Sequence, residues 1–173
     1  MDRLIDVFRH EGFEGASLAR LQEASGLKRS SLYHRFPDGK RDMACAVVVE
    51  VTNRFAGYVL VAAGADAPLE ERLAEIGRKL KTFYSDGHLP CLLDTMSIGE
   101  PEDRLGHLLD QATNSWIDTL AGLAQEAGHS RSEARARATD AVAAIQGALV
   151  IGRTTGDHTA FERAIAALPE RLM

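Results

Sequence analysis

The sequence predicts an all-α protein with a small three-helix unit ahead of a larger helical bundle. Apolar residues recur at intervals of three and four along nearly the whole chain of 173 residues, whereas the alternation typical of strands is scarce. Glycine and proline divide the chain into segments of helical length. These two observations favour a bundle of helices over a sheet.

The composition is that of an ordinary soluble globular protein, but its charge is unevenly distributed. Apolar residues make up 45% and charged residues 26%, and the formal net charge is -5. Residues 28–41 nevertheless hold five basic side chains against the single acidic Asp38. Such a local patch can attract a phosphate backbone, although most charge clusters are solvated helix faces.

Several classes of protein are not indicated. No run of about 18 apolar residues predicts a transmembrane helix, and the first residues lack the basic and apolar regions of a signal peptide. Cys45 and Cys91 match no metal-ligand spacing, and the histidines form no HxxxH or HExxH motif. We therefore expect a cytoplasmic chain with reduced thiols, no metal or other cofactor, no membrane contact and no catalytic residues.

Three short helices are predicted at the N-terminus. The first ends near the segment EGFEG at residues 11–15, and Ser17 can cap the second by accepting a hydrogen bond from its first turn. Gly26 ends the second helix, and a third runs from Leu27 to about His34. We expect these helices to share a core formed by Leu4, Ile5, Val7, Phe8, Leu18, Leu21, Ala24, Leu27, Leu32 and Phe36.

The rest of the chain predicts about six further helices, giving about nine in all. Pro37–Gly39 forms a turn, and Pro68 suits the start of a helix because its missing N–H costs nothing there. The short segment CLLDTMSIG follows a break at DGHLP. The longer helices are predicted over about 40–63, 69–85, 102–127, 131–155 and 160–168. We place the boundary between an N-terminal domain, 1–43, and a C-terminal domain, 44–173.

The second and third helices are joined by a three-residue turn that contains Gly26, which is the sequence form of a helix-turn-helix. The arrangement leaves polar side chains at the start and outer face of the third helix, where they can reach major-groove edges and phosphates. Phe36 is expected in the core, and Tyr33 can either pack its ring there or offer its hydroxyl to a phosphate. The exposed set is Lys28, Arg29, Ser30, Ser31, Tyr33 and His34.

The segment GLKRSSLYHRFPDGKRDM at residues 26–43 resembles the TetR family of bacterial one-component transcription regulators. The likeness lies in the Gly-Leu turn, the Leu-Tyr-His-x-Phe run and the lysine soon after it. Upstream, VFRHEGFEGASLARLQEASG is similar to the first two helices of that family, so the likeness covers about residues 3–55. The long turn FPDGK, with LPCLLDTMSIGE further on, is similar to the LmrA/YxaF-like branch.

The resemblance implies a homodimeric, ligand-responsive repressor of a palindromic operator in double-stranded DNA. Lys40 falls at the family's phosphate-binding lysine, and Ser17 at the cap of the second helix is placed to hold a second phosphate. Two departures are Gln22 and Ala16, which replace the usual alanine and a frequent threonine. The implied DNA contacts are Ser17, Lys28, Arg29, Ser30, Ser31, Tyr33, His34 and Lys40.

The resemblance also implies a pocket for a small apolar inducer within the C-terminal helices. About half of the candidates are expected to touch a ligand, and the thiol of Cys91 suits a buried apolar site better than a sensing role. The candidates are Phe83, Tyr84, His88, Cys91, Met96, His107, Trp116 and Leu120.

The last two predicted helices carry apolar stripes of mostly small residues. Such stripes suit either internal packing or a two-fold interface of four helices. The resemblance favours the dimer interface, with Ala138, Ala141, Ile145, Ala148, Phe161 and Ile165 in it. An α-helical enzyme or carrier, with a non-functional helix-turn-helix, is the alternative interpretation of the whole chain.

Overall fold

The computed structural model describes residues 1–99 and 104–173, with the side chain of Arg29 outside the described set. This part of the chain contains no strand, so the all-α prediction is confirmed. A 3-10 helix, Leu60–Gly64, lies between the fourth and fifth α-helices. The α-helices are α1 (Asp2–Gly15), α2 (Leu18–Ser25), α3 (Arg29–Arg35), α4 (Lys40–Tyr58), α5 (Leu69–Phe83), α6 (Leu92–Ser97), α7 (Arg104–Glu126), α8 (Arg131–Thr155), α9 (Thr159–Ala166) and α10 (Leu168–Leu172).

The described residues form two compact units. The N-terminal unit consists of residues 1–53 and 91–112, and the C-terminal unit consists of residues 54–90 and 113–173. The first unit therefore includes α6 and the first part of α7 in addition to the helix-turn-helix. The boundary predicted after residue 43 divides the chain by function and not by packing, and it stays a prediction.

The core of the N-terminal unit is built largely as the sequence predicts, with three exceptions. Ala24 and Leu27 are only half-buried, and Leu18 is 43% exposed. Leu18 is the first residue of α2, and its Cδ2 lies 3.8 Å from the position that a Cβ on Gly39 would take. The buried side chains of α1 to α4 include Leu4, Ile5, Val7, Phe8, Leu21, Leu32, Phe36, Met43, Val47 and Val48.

The first helix ends at Gly15, within the segment where the sequence predicts its end, and it is kinked at Gly12. The backbone there has φ 67° and ψ -176°, a conformation essentially restricted to glycine. α6 packs against α1 at this place, and a Cβ on Gly12 would lie 2.8 Å from the carbonyl oxygen of Thr95. The missing side chain thus permits both the kink and the close approach of the two helices.

The C-terminal unit is a bundle formed by the end of α4, α5, most of α7, and α8 to α10. Helices approach closely where side chains are small: a Cβ on Gly77 of α5 would lie 3.0 Å from Cγ2 of Ile165 on α9. Arg72 donates to the carbonyl oxygen of Ala63 at 2.7 Å and to the carboxylate of Glu126. The sequence did not predict the short helix α10, which directly follows α9.

One helical segment among the described residues, Lys40–Gly64, is long and apolar enough to cross a membrane by length and composition alone. The sequence contains no uninterrupted apolar run there, because charged residues such as Glu50 and Arg54 break it. The core helix of a soluble protein meets the same criterion, and Val47, Val48 and Val51 of this helix are buried within the protein.

Candidate functional site

The turn between α2 and α3 has the geometry of a helix-turn-helix. Gly26 adopts a left-handed conformation, φ 67°, and its N–H donates to the carbonyl oxygens of Gln22 and Glu23, both at 3.2 Å. Ser25 Oγ donates to the Gln22 carbonyl oxygen at 2.9 Å and accepts from the Leu27 N–H at 3.2 Å. These contacts hold α3 in a defined orientation against α2.

The outer face of α3 is polar and accessible, as the sequence predicts. Leu32 and Phe36 are buried on the inner face, whereas Tyr33 is 37% exposed on the outer one. Tyr33 is therefore not a core residue, and contact of its hydroxyl with a phosphate stays a prediction. The side chain of Arg29 lies outside the described residues. The exposed residues of this face are Lys28, Ser30, Ser31, Tyr33 and His34.

The start of α2 and the start of α4 flank this face. Ser17 is exposed, and its hydroxyl accepts from the Arg20 N–H at 3.2 Å, which confirms the predicted cap. Lys40 is half-buried, with its Nζ donating to the Glu14 carbonyl oxygen at 3.2 Å and lying 4.7 Å from the ring centre of Phe13. An ammonium group has three donors, so Lys40 can hold the end of α1 and still donate to a phosphate.

Acidic residues neutralise the cation of α2 and anchor the turn after α3. Arg20 pairs with Glu11 at 3.4 Å and Glu23 at 3.1 Å, and hydrogen bonds to these carboxylates raise the pKa of its guanidinium. Asp42 accepts from the Asp38 N–H at 2.9 Å. The turn at 37–39 is thus tied to the first turn of α4.

A cluster of aromatic rings forms the most distinctive feature of the C-terminal unit. The ring centre of Phe55 lies 5.1 Å from Phe83 and 4.9 Å from Trp116, both edge-to-face, and Phe83 lies 5.2 Å from Tyr84. Trp116 is 1% exposed, and its Nε1–H has no hydrogen-bond partner among the described residues. An unpaired buried donor costs about 1–3 kcal/mol, so this atom calls for an explanation.

The predicted ligand contacts divide between the two units. In the C-terminal unit, Leu120 is buried on α7 and His88 is exposed, with its ring centre 3.8 Å from that of His158. Three of the eight candidates belong to the N-terminal unit: Cys91 and Met96 are buried there, and His107 is exposed. The structure therefore brings together Phe83, Tyr84 and Trp116, with Phe55 added.

The residues predicted for the dimer interface are buried inside the protomer. α9 and α10 pack against α8, so the apolar stripe of α8 is already covered. Side chains with almost no exposed area have nothing to offer a partner, which corrects the sequence-based assignment. The six residues concerned are Ala138, Ala141, Ile145, Ala148, Phe161 and Ile165.

Neither cysteine is placed for reactivity. Burial raises the pKa of the Cys45 thiol, which favours the unreactive neutral form. Cys45 and Cys91 are both buried and unbridged. Within the described part of the chain, no group of three or more His, Cys, Asp or Glu residues could hold a metal ion.

Comparison with known families assigns the two parts of the chain separately. Residues 1–47 match the model for bacterial regulatory proteins of the tetR family. Residues 84–167 match the model for the C-terminal domain of LmrA/YxaF-like transcriptional regulators. The chain belongs to the TetR family. It is thus a transcriptional regulator with an N-terminal DNA-binding domain, in the branch that the sequence indicated.

Relatives and solved structures agree with this TetR-family assignment over nearly the whole chain. The HTH-type transcriptional regulator LmrA of Bacillus subtilis is 22% identical over 170 residues, covering 96% of this chain and 90% of that protein. YxaF of the same organism, an uncharacterized HTH-type regulator, is 26% identical over 161 residues, covering 88% and 82%. A TetR regulator from Legionella pneumophila has the same fold, with TM-score 0.85, 19% identity, and coverage of 99% and 96%.

Two residues of this TetR-family protein that matter for its sites were missed by sequence reasoning. Phe55 joins the aromatic cluster, yet it lies on α4, about 60 residues before Trp116. Leu18 was expected in the core and instead lies at the surface beside Tyr33. The sequence did contain a signal that could have identified Phe55: it is the sole aromatic residue on the apolar stripe of α4 before Tyr58.

Proposed function

We propose that this TetR-family regulator is a homodimeric repressor that leaves its operator when a small apolar molecule binds within the C-terminal unit. The observation that carries the DNA-binding part is the exposed polar face of α3, held by the turn at Gly26. Each protomer presents this face to the major groove of one half-site, so the operator is palindromic. Binding to chromosomal DNA also places the protein in the cytoplasm.

The test is selection of DNA by the purified protein from fragments of its source genome, followed by sequencing. We expect enrichment of a palindrome whose half-sites lie about one helical turn apart. The alternative of an enzyme or carrier has no support in the family assignment. Absence of any enriched sequence, together with turnover of a substrate, would reverse this choice.

We assign the DNA contacts to two classes. Ser17 and Lys40 flank α3, and we propose that they hold phosphates together with Tyr33 and His34 on its outer face, whereas residues at the start of α3 contact base edges. The proposed base-contacting set is Lys28, Arg29, Ser30 and Ser31.

Lys40→Ala should weaken binding to all DNA sequences by a similar factor. Loss of one phosphate contact should also lower the slope of log affinity against log salt by about one unit. Fluorescence anisotropy with operator and random duplexes, at several salt concentrations, measures both. Lys40→Arg should keep the slope, since it keeps the charge, and Lys81→Ala on α5 controls for the loss of a cation. An unchanged slope in Lys40→Ala would show that Lys40 contacts no phosphate.

The dimer interface is better placed on the exposed face of α8, opposite the buried stripe. Ala136, Ala143 and Gly147 lie on this face, and a Cβ on Gly147 would have no neighbour within 4 Å. Ile151, one turn further, is 49% exposed. Small residues beside an exposed isoleucine allow two α8 helices to approach closely across a two-fold axis. We propose this face as the self-association surface.

Ile151→Glu should produce a folded monomer, because it places a charge in the proposed interface without disturbing the protomer. Ala141→Glu is the contrast: it buries an unpaired charge inside the protomer and should unfold it. Light scattering after size exclusion gives the mass, and circular dichroism reports folding. A dimer of unchanged stability for Ile151→Glu would show that the interface lies elsewhere.

A further inference from the structure

Leu18 is an exposed apolar side chain at the start of α2, directly after the proposed phosphate contact Ser17. It lies beside the backbone of Gly39: a Cβ on that residue would be 3.8 Å from Leu18 Cδ2 and 3.5 Å from Cε1 of Tyr33. Leu18 and Tyr33 therefore flank the same buried glycine and form one small apolar spot on the outside of the protein. The spot joins the first residue of α2 to the outer face of α3.

Polar and cationic groups adjoin this spot in the chain and on α3. Ser17 directly precedes Leu18, and His34 directly follows Tyr33. Five of the six charged residues between 28 and 41 are basic. A protein or membrane partner generally requires an apolar patch of several hundred Å², which two half-exposed side chains do not provide. The positive setting instead fits a duplex, which carries phosphates around a few apolar groups.

The apolar group that DNA exposes in its major groove is the C5 methyl of thymine, and apolar side chains contact it. We propose that Leu18 contacts one thymine methyl in each half-site and makes this regulator prefer a T·A pair there. The proposal rests on the DNA-binding function proposed above. Leu18 acts as a specificity-determining residue, with the ring of Tyr33 supporting it on the side of α3.

The test deletes thymine methyl groups from the DNA and, separately, truncates the Leu18 side chain of the protein. Each thymine of the selected operator is replaced by deoxyuridine, which deletes the C5 methyl and keeps base pairing. Affinities are measured by fluorescence anisotropy for the wild type, for Leu18→Ala and for Val49→Ala. Val49 is a matched control, because it is 41% exposed on α4, away from α2 and α3 in the chain.

We expect one thymine per half-site at which deoxyuridine weakens wild-type binding about fourfold, the value of one buried methyl group. Leu18→Ala loses the contact in both half-sites, so it should bind the unmodified operator about as weakly as the wild type binds an operator with deoxyuridine at that position in both half-sites, and it should not respond to deoxyuridine there. Val49→Ala should behave as the wild type does. Alanine is a good helix former, so the variant should fold, and circular dichroism checks this.

Three outcomes would overturn the inference. Identical deoxyuridine profiles for the wild type and Leu18→Ala would show that Leu18 contacts no thymine methyl. Equal losses for Leu18→Ala on operator and random DNA would place the contact on the sugar-phosphate backbone. Failure of the wild type to select any DNA would overturn the proposed function itself, and this inference with it, so the two failures are distinguishable.

Discussion

Gly12→Ala should lower the free energy of unfolding by about 2–5 kcal/mol. Two costs add: the backbone conformation at φ 67° and ψ -176° is strained for any residue with a Cβ, and the new methyl would lie 2.8 Å from the carbonyl oxygen of Thr95. A backbone carbonyl within α6 cannot rotate away as a flexible side chain can. Denaturant unfolding followed by circular dichroism measures the change.

Gly15→Ala is the matched control, because Gly15 lies on the same helix without either cost. Its φ is not positive, and a Cβ there would meet only Glu11 Cβ at an ordinary 3.5 Å. Alanine at such a site usually stabilises a protein by about 0.4–1 kcal/mol through the unfolded state. Equal effects of the two substitutions would show that neither the kink nor the contact with α6 matters to stability.

The contact at Gly12 also joins two segments of the chain that match different family models. α6 falls within the segment that matches the LmrA/YxaF-like C-terminal domain, yet it packs with α1 in the N-terminal unit. Gly12→Ala should therefore also weaken operator binding through a displacement of α1, although Gly12 is not among the proposed DNA contacts. Operator affinity measured at a temperature where the variant remains folded separates this effect from unfolding.

Local features of this fold could be predicted from the sequence, and features set by tertiary packing could not. The cap at Ser17 and the turn at Gly26 depend on one or two neighbouring residues, and both are as predicted. Leu18 has the helical spacing of a core residue, but it lies at the surface. Periodicity identifies an apolar position without saying what covers it.

The apolar stripe on α8 is a second case in which periodicity does not say what covers an apolar residue. Its small residues were correctly recognised as a packing surface, and both internal packing and a dimer interface were open. Coverage by α9 and α10 decides between them, and α10 was not predicted. Likewise, Phe83, Tyr84 and Trp116 could be proposed as neighbours, but the placement of Phe55 between them depends on how α4 crosses the bundle.

Trp116→Ala should unfold the C-terminal unit or nearly so, because it removes the largest fully buried side chain from the aromatic cluster. Truncations of this kind cost about 3–5 kcal/mol, a large part of the stability of a domain. The variant therefore cannot separate ligand sensing from folding. Trp116→Phe is the better probe, since it keeps a ring against Phe55 and removes only the indole N–H and part of the surface.

We expect Trp116→Phe to fold and to bind the operator as the wild type does. Its affinity for an inducer should be about 3- to 10-fold lower, because phenylalanine lacks the Nε1–H that can donate to a ligand acceptor in the wild type. One hydrogen bond has about this net value. Inducers can be found by quenching of the wild-type fluorescence, since Trp116 is the sole tryptophan of the chain. Calorimetry then compares their affinities for the two proteins.

The decisive measurement is operator affinity as a function of inducer concentration. An inducer shifts the protein off DNA only if it binds the DNA-incompetent arrangement more tightly, and a tenfold loss of operator affinity requires about 1.4 kcal/mol of such a difference. By linkage, operator DNA must weaken inducer binding by the same factor in the wild type. A ligand that saturates Trp116 quenching without changing operator affinity in either protein would leave the aromatic cluster with a purely structural role.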